Sequence, residues 1–169
     1  MHFADWFPTL ATLAIVTGCA PAQGPTCDGT LHATVTIEET SEALAVESVA
    51  PALIGSIATG ENNDLIIIEL ESGEVINILF ARPTAIGTPL PLGAELPDVQ
   101  VRLGGTGVSI GGCETTATSE GELIVDHLHL DGEFLDCAIG SLRVRFTDCD
   151  AEFFGRPASE TTFLVEIGR

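Results

Sequence analysis

An all-β domain, an antiparallel β-sandwich or barrel with at most one short helix, is the fold this chain predicts. Three observations carry the expectation. Short runs rich in Val, Ile, Leu, Thr and Phe recur through residues 30–169. Gly, Pro and Asp punctuate them at turn positions. A helical pattern is offered by one stretch alone.

In chain order, residues 30–37, TLHATVTI, alternate with Leu31, Ala33, Val35 and Ile37 on one face. Residues 41–49, SEALAVESV, are the helical candidate, with Ser41 placed to cap it and Pro51 just beyond. The β-branched runs 64–70, DLIIIEL, and 74–80, EVINILF, are joined by Glu71-Ser72-Gly73, a hairpin signal. Residues 83–97 hold four prolines, which lack the N–H donors of a central strand. They read as a crossover loop or a blunted sheet edge. Residues 98–103, DVQVRL, alternate again, with Gln100 and Arg102 outward. Residues 122–130, ELIVDHLHL, turn at Asp131-Gly132 into a strand over 133–138, and a separate strand covers 142–147, LRVRFT. Strands over 151–154 and 161–167 complete the set. No repeat or internal boundary appears, so residues 30–169 form one domain.

Composition excludes several functions. The chain has 25 Asp and Glu against six Arg and no Lys, a formal charge of −19. A field of that sign repels phosphate backbones, so nucleic acid is not a partner. The single Trp, Trp6, lies near the start and Tyr is absent. That removes the aromatic platforms on which bases stack, and equally those on which sugars stack.

Residues 9–18, TLATLAIVTG, are too short to span a bilayer and have the length of a signal h-region. They lead into Val16-Thr17-Gly18-Cys19. This tetrapeptide resembles the lipobox of bacterial lipoproteins. The resemblance covers the leader only. It implies cleavage before Cys19, lipidation of the Cys19 sulfur, and a membrane anchor of more than one acyl chain. Ala20, where an Asp would direct retention at the inner membrane, points to the outer membrane by the same analogy. Residues 1–18 are then a signal peptide and 19–29 a lipidated N-terminus and tether. The segment before the apolar run, Met1 to Asp5, carries no basic residue, which departs from the usual signal pattern. A second route is cleavage after Ala20-Pro21-Ala22, releasing a soluble secreted or periplasmic protein.

With Cys19 lipidated or removed, Cys27, Cys113, Cys137 and Cys149 remain, an even number suited to two disulfides in an oxidising compartment. None are spaced as the close pairs of a zinc site. A Cys137–Cys149 bridge is disfavoured because an extended strand between them holds them apart. Two connectivities stay open. Cys27–Cys149 with Cys113–Cys137 is preferred over Cys27–Cys137 with Cys113–Cys149.

Two constellations bear on chemistry. Gly107-Val108-Ser109-Ile110-Gly111 matches the G-x-S-x-G nucleophile elbow, which needs a strand before the Ser and a helix after it. The residues that follow are poor helix formers, and a glycine-rich turn is the better reading. His127 and His129, two apart on a strand, project from one face and can reach a common metal ion. Leu123 and Val125 share their parity, whereas Ile124, Leu128 and Leu130 lie opposite, so alternation does not decide which face is buried. His32 is a candidate third ligand, with Asp126 and Asp131 near in sequence. The competing reading is two surface histidines flanked by acids. Glu38-Glu39, Asn62-Asn63-Asp64 and Asp148-Cys149-Asp150 are short acidic clusters capable of holding Ca²⁺, yet none spells an EF-hand loop.

The expectation is therefore a cell-envelope lipoprotein carrying a non-catalytic binding or structural module without a cofactor. Its partners are the membrane, through the lipid anchor, and a protein or small ligand that the sequence does not identify. The rival readings are a metal-binding lipoprotein using His127 and His129, and a secreted serine hydrolase using Ser109.

Overall fold

The structure is a computed structural model that describes residues 30–53, 63–83, 85–93, 99–105, 112–116 and 118–168. Its strands in chain order are β1 (His32–Ile37), β2 (Glu42–Leu44), β3 (Val46–Leu53), β4 (Asn63–Leu70), β5 (Glu74–Ala81), β6 (Pro89–Pro91) and β7 (Val99–Gly105). They continue with β8 (Cys113–Glu114), β9 (Glu120–Asp131), β10 (Phe134–Arg145), β11 (Glu152–Phe153), β12 (Arg156–Pro157) and β13 (Thr162–Gly168). Among the described residues, β11 and β12 pair as a two-stranded ribbon, and the other strands form two larger antiparallel sheets. One has six strands in the order β2-β1-β13-β10-β9-β6, the other five in the order β3-β4-β5-β7-β8. The fold is an all-β sandwich. Among the described residues, helical geometry is confined to a 3-10 turn at Ala158–Glu160.

Period-two alternation builds the core. In the five-stranded sheet Ile66, Ile78 and Val101 share one row and Ile68, Ile76 and Leu103 the next, all buried. Val35, Ile37, Leu142, Val144, Phe163 and Val165 face them from the six-stranded sheet in the same core. Phe163 meets Phe146 edge to face, with ring centroids 6.3 Å apart.

The helix expected over 41–49 is instead β2 and β3. Ser41 does not cap a helix: it sits at φ 55° in the turn after β1. The chain crosses from one sheet to the other at Ala45, whose carbonyl accepts the Glu71 N–H at 3.0 Å. Val46 then pairs with Leu70 and Val49 with Ile68, so packing against the core outweighs a weak helical pattern. Pro51, opposite Ile66, is tolerated because β3 is an edge strand.

The expected break between 133–138 and 142–147 is likewise absent, because β10 runs unbroken through Gly140. That glycine marks a close approach, not a turn. A Cβ there would lie 2.1 Å from the Ile124 carbonyl oxygen. The proline-rich stretch supplies β6, which closes the edge of the six-stranded sheet beside β9.

Candidate functional site

The β9–β10 ribbon carries the histidine pair. Leu130 pairs with Leu135, His129 with Cys137, Leu128 with Ala138, His127 with Ile139 and Val125 with Gly140. Asp136 on β10 and Asp126 on β9 are each skipped, as the extra residue of a bulge is. The irregularity at Asp126 reverses the parity of the strand. Leu123 and Val125 are buried before it, and Leu128 and Leu130 pack against the core after it. His127 and His129 therefore share the outward face, His129 exposed and His127 half-buried.

His32 is exposed on β1. The strands β13 and β10 lie between β1 and β9, so His32 stands about 14 Å from the β9 axis. Zinc draws its ligands to about 2 Å, and these three imidazoles do not converge. Asp126 and Asp131 are exposed. Among the described residues no three His, Cys, Asp or Glu side chains gather as a metal site.

Ser109 lies outside the described residues, but its frame does not. The strand before it, β7, is followed at Cys113 by β8, which pairs back on it through Leu103–Cys113 and Arg102–Glu114. The next described element after β7 is thus a strand, whereas a nucleophile elbow requires a helix after its serine.

Within the acidic clusters, Glu38, Glu39, Asp64 and Asp148 are held by the protein's own donors. Asn62 lies outside the described residues. Asp64, on the core side of β4 and 1% exposed, receives Arg82 Nε at 2.8 Å and Nη2 at 3.0 Å. Arg82 also donates to the Glu133 carbonyl at 2.6 Å, tying β5 to the β9–β10 turn. This charge-assisted bond to Asp64, despite partial desolvation, raises the Arg82 pKa further above its usual value. Glu38 pairs with Arg143 at 2.8 Å. Glu39 accepts the Thr162 N–H at 3.0 and 3.1 Å. Desolvation acts to raise the Glu39 pKa, but the bonds from Thr162 outweigh it and hold the carboxyl below its usual range. Asp148 accepts the hydroxyls of Thr118 and Thr116, in that order of effect, and its pKa is lowered as well. Thr147 joins this hydroxyl cluster through Thr118 at 2.5 Å. Sequence reasoning missed Arg82, Thr116, Thr118 and Thr147, because the partners that place them are 18 to 51 residues away.

Cys113 and Cys149 are bonded, with Cα atoms 5.6 Å apart. This overturns the preferred connectivity, which joined Cys113 to Cys137. Cys113 opens β8 on one sheet and Cys149 follows β10 of the other, so the bridge pins the two sheets together. Cys137 is also disulfide-bonded. Cys19 and Cys27 lie outside the described residues.

Every described arginine is engaged. Arg102 meets Glu114 at 3.1 Å, Arg156 meets Glu42 at 3.0 Å, and Arg145 donates to the Ser159 carbonyl at 3.2 Å. Arg82 and Arg143 are held as described above. The acidic excess is left on the surface with no arginine in reserve among the described residues. Fold and surface together define an acidic, disulfide-bonded β-sandwich. Compared with known proteins, the chain matches no family model, no curated protein and no solved structure. Among the described residues no helix is long and apolar enough to cross a membrane.

Proposed function

We propose that this protein is an exported cell-envelope lipoprotein whose β-sandwich is a non-catalytic binding or structural module. The observation that carries the reading is the Cys113–Cys149 bridge together with a bonded Cys137. Disulfides persist in oxidising compartments, which fits an exported chain. The lipobox-like Val16-Thr17-Gly18-Cys19 supplies the anchoring residue, and lipid placed there retains the domain at the membrane. The non-catalytic part is supported by the carboxylates Glu38, Glu39, Asp64 and Asp148, each held by internal donors instead of facing a nucleophile. The acidic surface suits a basic partner or a cation-bearing ligand.

The test is expression of the full chain in a diderm bacterium, followed by detergent phase partition. Wild type is expected in the detergent phase and Cys19→Ala in the aqueous phase. Equal partition of both into water overturns the anchor and favours cleavage after Ala22. A second reading, metal binding, rests on the shared outward face of His127 and His129. Calorimetric titration of Zn²⁺, Cu²⁺ and Ni²⁺ is expected to show no tight binding. Submicromolar binding that disappears in His127→Ala/His129→Ala replaces the first reading with the second.

A further inference from the structure

We propose that the tip of the β9–β10 ribbon is a docking surface for an arginine-bearing segment of another protein. Phe134 is its anchor, and Asp131, Glu133 and Asp136 are its counter-charges. The inference rests on the reading of the domain as a binding module and names the chemistry of its partner.

Pairing carries the ribbon beyond its own sheet. Among the described residues, the last pairing of β10 with β13 is Gly140–Ile167, and the last of β9 with β6 is Pro89–Ile124. The ribbon continues past both to a turn at Gly132, φ 64°, where an added Cβ would meet nothing within 4 Å. Asp131, Gly132, Glu133 and Phe134 are all exposed. Leu130 and Leu135 face the core, so the next pair, Asp131 and Phe134, turns to the outward face that carries His129.

Phe134 is 56% exposed, and among the described residues Ile86 is the one other large apolar side chain so open. Ile86 lies apart. The N–H of its neighbour Gly87 donates to the Val125 carbonyl, which sets it back from the turn by roughly 16 Å along β9. A single exposed apolar side chain is ordinary on a protein surface; the charge around Phe134 is what selects a partner. Asp131 is its cross-strand neighbour, with Cβ atoms about 5 Å apart. Glu133 precedes it, and Asp136, the extra residue of the bulge, is exposed two positions on. Arg82 reaches the base of the tip, but its guanidinium is already taken by Asp64 and the Glu133 carbonyl.

An aromatic ring with carboxylates around its edge fits a guanidinium. Arginine stacks its plane on a ring face, and its forked N–H groups donate to carboxylate oxygens at the same time. A second copy of this chain does not supply that cation. Its charge of −19 repels the first, and every described arginine is engaged within its own fold. A bilayer is disfavoured too, because burying Phe134 would draw three carboxylates out of water with it. The partner is therefore a different, basic polypeptide.

The test is titration of full-length Cys19→Ala, recovered after export, with the capped peptide Gly-Arg-Gly-Arg-Gly at low salt. Binding is followed by the amide NMR signal of Gly132, which every variant retains. That signal is expected to shift and saturate. Phe134→Leu keeps an apolar side chain without the ring and is expected to weaken binding about fivefold. Asp131→Asn/Glu133→Gln/Asp136→Asn is expected to weaken it about tenfold or more. Asp150→Asn/Glu152→Gln/Glu160→Gln removes the same charge beyond the far end of β10 and should change affinity by less than about twofold. All these side chains are exposed, so the variants keep the fold, which unchanged amide signals elsewhere check. Wild-type affinity in Phe134→Leu, or equal losses in the two triple variants, overturns the site. A lysine peptide that binds as tightly as the arginine peptide overturns the arginine assignment. The titration does not depend on the anchor. No binding, with Cys19-dependent detergent partition intact, overturns the tip and leaves the lipoprotein reading standing. Binding at the tip of a protein that partitions wholly into water overturns the anchor and leaves the tip standing.

Discussion

The ladder β4–β5–β7 and the ribbon β9–β10 are both long, apolar and antiparallel, yet they keep register by different means. In the ladder every pairing from Asp64–Phe80 to Glu69–Val75 advances one residue for one. From Ile66 to Leu70 and from Ile76 to Phe80 its inner positions are large and buried in alternation, so a slip of one residue would expose them. The ribbon has apolar residues on both faces and two irregularities within a few residues. Where alternation is ambiguous, a bulge sets the face, and clips at each end hold the ribbon on the ladder. At one end Arg82 joins Asp64 to the Glu133 carbonyl. At the other, the Cys113–Cys149 bridge joins β8 to the chain leaving β10.

Cutting the disulfide clip is the largest way to loosen that arrangement. It closes a separation of 36 residues, so Cys113→Ala/Cys149→Ala is expected to lose about 4 kcal/mol in urea unfolding. A loss near zero would show that the strand pairings alone hold the two sheets. At the opposite end, Arg82→Met strands Asp64 in the core, 1% exposed, and is expected to cost about 3 kcal/mol. Asp64→Leu/Arg82→Met should recover most of this, since an apolar pair has no charge to desolvate. Failure of the double variant to recover would assign the cost to the lost bond with Glu133.

Inside the ribbon, Gly140→Ala tests the close approach directly. The added Cβ meets the Ile124 carbonyl oxygen at 2.1 Å, and the backbone must shift at a cost of about 2 kcal/mol. Ser141→Ala, one residue on, is expected within about 0.5 kcal/mol of wild type. Equal effects at the two positions would erase the distinction between ribbon and ladder.

The smallest effect lies outside both regions. Glu39 accepts the Thr162 N–H and its folded pKa is depressed. Its contribution is therefore complete above the unfolded carboxylate pKa and lost as pH falls through the folded value. Glu39→Gln is expected to cost about 0.5 kcal/mol at neutral pH, and the difference should vanish in acid below the carboxylate range. A difference that persists at low pH would show that the ionised form is not what Thr162 recognises.

The sequence by itself determined the all-β class, the β4–β5 and β9–β10 hairpins, and the strands β1, β7 and β13. Each is written locally, in an alternation of two and in Gly or Asp at the turns. The sequence also placed His127 and His129 on a common face, because residues two apart on a strand share a side whatever surrounds them. Only the tertiary structure decided which side that is, through the extra residue at Asp126. It alone made 41–53 a pair of edge strands, merged 133–147 into one, and joined Cys113 to Cys149. The partners in these cases are distant in the chain. Val49 is judged against Ile68, Gly140 against Ile124, and Cys113 against Cys149. A local period carries no record of such neighbours; the packing of one sheet on the other supplies it.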